Sequence, residues 1–544
     1  MTNDSLPKTQ YALQLIGPDE LFLNKSKEVI PPGPHQILCR IEAVGLCFSD
    51  LKLLKQFSSH VRKSEIVSGI DPKILDEIPS YVPGEKPAVP GHELVVRIEQ
   101  VGSEVKDIRP SERFLVQTDY RWLRTKGSNA ALGYNFEGGL QEYIIMDTRI
   151  ITSPEGQLML IPVSEQLSAS AVALVEPWAC VEDAYVSIER QTIKNDGQML
   201  VVADIGIDQA KINNLLNTYG EPKQVTNVSS NEISELADES FDDIVYFGSE
   251  AETIESLFPK LAKNGLINIA LCGGRFERDI VIHIGRVHYG GIRIVGTTGN
   301  DPAESMKIIP EISEIREGDK IDVVGAGGPM GVMHVVRNIC QGVKDVTVLA
   351  TDVDDNRLAA LTKIAKPLAD ENKVEYKTYN PKTEKTHPAP DGFDYIALMA
   401  PVPSLVSASI PDAAKGAIIN IFAGIPATVT AEINLDSYIE KQLYFIGTSG
   451  SVLDDMKRVL SKVESGRLDT NVSVAAICGP EHAAEGIRAV EERSIAGKIL
   501  VYPSCKGLEL TELSELDEKM PDVAECLNNG LWTKEAEKKF LERY

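Results

Sequence analysis

Three segments of this chain occur twice, in the same order. FDDIVYFG (241–248) is answered by FDYIALMA (393–400), NGLINIALCGG (264–274) by KGAIINIFAGI (415–425), and IRIVGTTGN (292–300) by LYFIGTSGS (443–451). Gly265 and Gly416, like Gly296 and Gly447, stand 151 residues apart. From about residue 167 onward, apolar strand-like runs alternate with amphipathic helical stretches, the rhythm of a parallel sheet wrapped by helices. A repeat of such a pattern predicts two similar α/β units in tandem. The 544 residues are too many for one core, so three or so domains are expected. Before the repeat, from Tyr11 to about Ile151, short alternating apolar runs broken by Gly and Pro read as a β-rich domain. The final stretch, 504–544, is acidic and helical in period.

The two copies differ where chemistry would sit. The second opens with DKIDVVGAGGPMGVMHVVRNI, a strand running into a glycine-rich turn and then a helix, and Asp352 closes the next strand. Glycines let the backbone approach a pyrophosphate, the helix N-terminus attracts its charge, and the acid can bind the ribose hydroxyls. Gly325, Gly327, Gly328, Pro329, Met330, Gly331 and Asp352 are the dinucleotide-binding candidates, although Ala326 or Met330 occupies one glycine place in either register of the motif. A carboxylate at Asp352 would repel a 2′-phosphate, which favours NAD over NADP. The first copy has ADIGIDQAKINNLL after its opening strand, with no glycine cluster. About 30 fewer residues separate its opening from FDDIVYFG than separate the corresponding elements of the second copy. It reads as a nucleotide fold kept for packing, or as a site for something other than a dinucleotide.

The net charge of −25 repels phosphate backbones and anionic headgroups, so no nucleic-acid or membrane partner is expected. No signal-like start and no apolar run of spanning length are present, which makes the cytoplasm the expected location. The eight cysteines are scattered without a C-x-x-C pair, against both a disulfide framework and a clustered structural zinc site.

One cysteine stands out. VGLCFSDLK carries Cys47 followed by Ser49 and Asp50, PGHELVV carries His92 and Glu93, and LVEPWAC carries Glu176. A thiolate, an imidazole and a carboxylate form a three-ligand set with an open position, as in catalytic zinc sites. Together with GGLQEYI, the glycine-rich turn and AGKILVYP, these motifs follow the order seen in the zinc-dependent medium-chain dehydrogenase/reductases. The chain resembles that family over roughly residues 11–503, apart from the extra α/β copy. It resembles most the polyol and sugar dehydrogenases, in the manner of sorbitol dehydrogenase and sorbose-phosphate reductase.

The resemblance implies an α/β architecture with a GroES-like β-rich catalytic domain (1–180, completed by about 470–503). It also implies a Rossmann NAD-binding domain (316–469), while the repeat and the period of the last stretch add a degenerate Rossmann-like domain (190–315) and a helical C-terminal extension (504–544). Cys47 and His92 would be zinc ligands, with Glu93 and Glu176 as alternatives for the carboxylate. Ser49 would take the substrate proton and Asp50 would orient His92. Lys52 stands where many relatives carry a proton-relaying histidine. The expected activity is hydride transfer between NAD and a secondary alcohol or ketone of a polyol, sugar or sugar derivative, with or without a phosphate. The alternative is a retired, NAD-binding sensor or scaffold. Relatives imply a homo-oligomer, dimer or tetramer.

Two departures stand out. The tract between Cys47 and His92 is long, its middle reading as an insertion beside the metal. Arg121, Arg124 and Lys126 in DYRWLRTKGSN form a basic cluster suited to a phosphate or carboxylate. His288, His334 and His482 read as structural or surface residues.

Overall fold

The computed structural model of the chain describes residues 6–204, 206–385, 388–448 and 450–544. The chain divides into two compact units, one made of the residues up to Ala179 together with Ser451–Tyr544, the other of Cys180–Gly450.

The first unit is built on an eight-stranded sheet. Its order runs Leu160–Pro162, Arg113–Val116, Glu93–Val101, Gln36–Gly45, Lys498–Val501, Val474–Cys478, Thr511–Glu512, with Tyr143–Asp147 also paired to Gln36–Gly45. The alternating pattern of HQILCRIEAVG becomes the central strand, whose apolar side chains are all buried. Register sets which residues meet at the strand ends. Gly45 lies opposite Glu93 in one antiparallel pair and opposite Leu500 in another. Cys47, two residues past the end of the strand, and His92, one before the start of the next, therefore emerge at the same end of the sheet, where Lys498 also begins its strand.

The insertion between Cys47 and His92 is folded. Its Ile66–Ser68 pairs with Asp119–Thr125, which pairs in turn with Asn129–Ala131, so the basic DYRWLRTKGSN cluster is the centre of a three-stranded sheet. Lys63, fully buried, donates to the carbonyls of Val82 and Lys86, both at 2.7 Å, and stitches the insertion closed. Burial pushes its ammonium down to about 8.

The C-terminal tract contributes the edge strand Thr511–Glu512 as well as helices, ending in Lys534–Leu541. Trp532, Ala536 and Phe540 are buried. Glu537, also buried, accepts from the backbone N–H groups of Ala169 (2.5 Å) and Ser170 (2.8 Å) and from the Tyr502 hydroxyl (2.8 Å). A carboxylate at the start of the Ala169–Ala173 helix satisfies donors that have no partner within the helix.

The second unit holds the two expected α/β copies. The second copy has six parallel strands in the order Glu375–Tyr379, Thr347–Thr351, Lys320–Val324, Phe393–Leu398, Ala413–Ile421, Tyr444–Ile446, the doubly wound order 3-2-1-4-5-6. The first has five: Gln224–Val228, Gln198–Ala203, Phe241–Phe247, Leu261–Ala270, Arg293–Thr297. Among the described residues no strand matches Glu375–Tyr379, which accounts for the shorter spacing seen in the sequence. A short strand from each copy, Ile280–Ile282 and Ala431–Ile433, pairs antiparallel with the other. One apolar core runs through both copies, from Leu200 and Ile244 to Phe445.

Glu537→Ala leaves two helix N–H groups and a tyrosine hydroxyl without their buried acceptor. A loss of about 2–4 kcal/mol in the stability of the first unit is expected in denaturant titration, against less than about 1 kcal/mol for the exposed Glu535→Ala.

Candidate functional site

Among the described residues, Cys47, His92 and Glu93 form a group whose ligand atoms all lie within 4.8 Å of one another. Cys47 caps the helix Phe48–Gln56. Asp50, in the first turn of that helix, accepts from the Cys47 N–H through Oδ2 (3.2 Å) and sets Oδ1 3.1 Å from Nδ1 of His92. With Nδ1 facing Asp50, Nε2 lies on the thiol side. There Ser49 Oγ sits 3.0 Å from Nε2 and 3.1 Å from the Cys47 sulfur.

Glu93 is fully buried. Its Oε1 takes the Lys498 ammonium at 2.5 Å, and Lys498 also donates to the Leu46 carbonyl at 2.8 Å. Its Oε2 has no hydrogen-bond partner among the described residues. Gly45 makes room for that oxygen, since a Cβ there would lie 2.2 Å from it.

Glu176 is buried and outside the three-residue group, yet within its electrostatic reach. Burial, then the Glu93 charge, push its carboxyl up to about 7 against the pull of His92 and Lys498. For His92, burial opposes the cation, but Asp50 and Tyr134 outweigh it and hold the imidazole well above its usual range. Asp50, Glu93 and Glu176 thus lie buried around the thiol and the ring with Lys498 as the buried ammonium, a setting that favours a bound cation. Sulfur, nitrogen and oxygen donors in such a field match the ligand chemistry of zinc. The residues present fit the ion.

Three participants carry no signal in the sequence. Lys498 lies in AGKILVYP, a motif in which nothing local distinguishes the lysine. Tyr134 is buried, with its ring centroid 5.8 Å from that of His92 and 5.1 Å from that of His60, and Ser49 is its hydroxyl's neighbour. Arg62, from the insertion, reaches Asp119 at 2.6 Å and stands over the Tyr134 ring at 5.6 Å from its centroid. No short-range pattern marks these, because each pair joins segments dozens of residues apart. Of the other candidates, Lys52 is exposed on the helix of Asp50. Arg121, Arg124 and Lys126 are exposed, and Arg121 donates to the Ser451 carbonyl.

The glycine-rich turn of the second copy lies where its pattern requires. Gly325 has φ +85°, open to glycine at little cost. A Cβ at Gly331 would lie 2.4 Å from the Gly325 carbonyl, so strand and helix can meet only with glycine there. Asp352 accepts from the Gly327 N–H at 2.9 Å and is thereby aimed at the turn. The helix Pro329–Cys340 starts from Gly328 with no side chain capping it.

The first copy is different at each of these points. Asp208 caps the helix Gln209–Tyr219, accepting from Ala210 and Lys211, and places a carboxylate where a phosphate would otherwise go. The Tyr246 hydroxyl binds Asp204, and a Cβ on Gly248 would lie 2.2 Å from that carboxylate. Ile205 of the ADIG turn lies outside the described residues. The histidines are structural or surface groups: His334 meets the Tyr185 hydroxyl at 2.8 Å, His288 the Ile421 carbonyl at 3.1 Å, and half-exposed His482 lies 2.9 Å from Glu485.

Residues 33–155 match the alcohol dehydrogenase GroES-like domain. The chain is 25% identical over 249 residues to mannitol-1-phosphate 5-dehydrogenase of Aliivibrio fischeri (42% of this chain, 58% of that protein). It is 25% identical over 221 residues to L-sorbose 1-phosphate reductase of Klebsiella pneumoniae (40% of this chain, 53% of that protein). It thus spans little more than half the length of these curated relatives. The solved 2R,3R-butanediol dehydrogenase of Bacillus subtilis superposes with a TM-score of 0.54 at 14% identity, covering 91% of this chain and all of that one. A GroES-like domain match over residues 33–155, followed by parallel nucleotide-type sheets, gives this chain the fold of that enzyme with a second, five-stranded Rossmann-like copy.

Proposed function

We propose that this protein is a zinc- and NAD-dependent oxidoreductase acting on a secondary alcohol, or the matching ketone, of a polyol or sugar derivative. The observation that carries the proposal is the convergence of half-buried Cys47 with buried His92 and Glu93, beside the buried acids Asp50 and Glu176. The names of the two relatives, both acting on sugar or polyol phosphates, support the substrate class and favour a phosphorylated one.

Cys47 and His92, with Glu93 or Glu176 as the carboxylate, would hold zinc, and the turn Gly325–Gly331 with Asp352 would hold NAD. Bound there, zinc supplies the Lewis acidity that makes an alcohol hydroxyl easier to deprotonate, and the nicotinamide supplies the hydride acceptor. The chain's own residues do the rest. Asp50 holds the His92 ring in one orientation through Nδ1. Lys498 holds Glu93 through Oε1, which leaves Oε2 as the oxygen that would face a metal. Ser49 Oγ stands beside both the thiol and Nε2, placed to take the hydroxyl proton, with the Tyr134 hydroxyl next in line. Lys52, exposed on the same helix, would pass that proton on to water only as the free amine.

Cys47→Ala purified alongside wild type should contain no stoichiometric zinc by atomic emission and form no NADH on a polyol and polyol-phosphate panel. Asp50→Asn should keep the fold by circular dichroism and weaken zinc binding about 10- to 100-fold. Full zinc in the Cys47 variant would overturn the ligand assignment.

Calorimetric titration should find one NAD per chain, since the turn of the first copy is closed by its own side chains. Gly327→Val, whose Cβ would lie 2.5 Å from Arg357 Cβ and 3.0 Å from Asp352 Oδ2, should lower NAD affinity by more than about tenfold. Two equivalent NAD sites, or unchanged binding by the variant, would contradict the assignment.

A further inference from the structure

The two α/β copies meet in a way that has the symmetry of a dimer. In a two-fold interface each contact occurs twice: if residue i of one partner touches residue j of the other, then j of the first touches i of the second. With the 151-residue offset of the repeat as the key, Gly296 corresponds to Gly447 and His288 to Ile439. A Cβ on Gly296 would strike Ile439 at 2.7 Å, and a Cβ on Gly447 would strike His288 at 2.7 Å. The same pair of positions meets twice, once in each sense.

A second pair behaves likewise. Gly285 is pressed on the Pro426 and Ile425 carbonyls, while its counterpart Asp436 accepts from the backbone N–H of Phe276, next to the counterparts of those two residues. The two-fold passes through the short strands. Val281 is the counterpart of Glu432, and these two face each other at the centre of the antiparallel pair, with Ile280 opposite Ile433 and Ile282 opposite Ala431. A residue that pairs with its own counterpart marks the position of a dyad.

The faces so joined are apolar. Tyr444–Ile446, the edge strand of the second copy, is buried throughout, and Ile294, Ile439 and Phe445 belong to the core that both copies share. The Tyr438 hydroxyl donates to the Ile294 carbonyl at 2.8 Å, occupying a backbone group on the first copy's edge strand. Left uncovered, two such edges would invite pairing with another chain.

We propose that the first copy is a built-in partner: the surface on which two copies of this fold would associate is filled from within one chain, and the protein is consequently a monomer. This explains why a copy without a strand, and with its cofactor turn closed, keeps its core and its contact face. The inference stands apart from the catalytic proposal, because it concerns only the joined sheets.

The test uses the full-length chain. Val281 and Glu432 are both exposed, and cross-strand Cα separations of about 4.5–5.5 Å lie within disulfide range. On mild oxidation, V281C/E432C should form an intrachain disulfide: a faster-running monomer band on a non-reducing gel, reversed by reductant and absent from either single variant. Sedimentation of wild type should give one species of 59.4 kDa across the micromolar range. A disulfide-linked dimer of the double variant, failure of the two cysteines to join, or a stable wild-type dimer would each overturn the proposal.

Discussion

Carboxylates buried side by side raise one another's energy unless a cation compensates them, and the first unit is organised around that constraint. Asp50, Glu93 and Glu176 are all buried near the Cys47 thiol and the His92 ring, with the Lys498 ammonium bound to Glu93. The sheet makes the arrangement possible. A single register, Gly45 opposite Glu93 on one side and opposite Leu500 on the other, delivers the thiol, the imidazole, the carboxylate and the ammonium from three strand ends to one place. A slip by one residue would turn each of them to the other face. The folded insertion adds Arg62, itself held by Asp119, beside Tyr134.

The second unit separates two jobs that a nucleotide fold ordinarily combines. One copy keeps the open glycine turn, the uncapped helix start and the aimed Asp352. The other has put side chains of its own into the equivalent space: Asp208 at the helix start, and Asp204 against Tyr246. A closed turn no longer selects for its third outer strand, whereas the apolar contact face still contributes burial on the order of tens of cal/mol per Å².

Much of this was legible in the sequence, for physical reasons. The repeat exposed two α/β units because strand and helix periods survive drift in individual residues. Cys47, His92 and Glu93 were legible because each sits in a short motif at a strand or helix end, where local chemistry is written locally. Lys498, Tyr134 and Arg62 were not, since their importance is created by partners far along the chain. The insertion reads as a charged loop in sequence, but Lys63 makes its two bonds to carbonyls 19 and 23 residues away, and only the fold reveals them. The pairing of Val281 with Glu432 was hidden too: three-residue strands carry too little pattern to be seen alone.

The central claim is that a divalent ion belongs among Cys47, His92 and a buried carboxylate. X-ray absorption at the zinc edge of freshly purified protein tests it most directly. The account predicts a four-coordinate spectrum with one sulfur at about 2.3 Å and the remaining nitrogen and oxygen ligands at about 2.0–2.2 Å. A shell of several sulfurs, or protein purified in zinc-replete buffer with no zinc in it, would contradict the account.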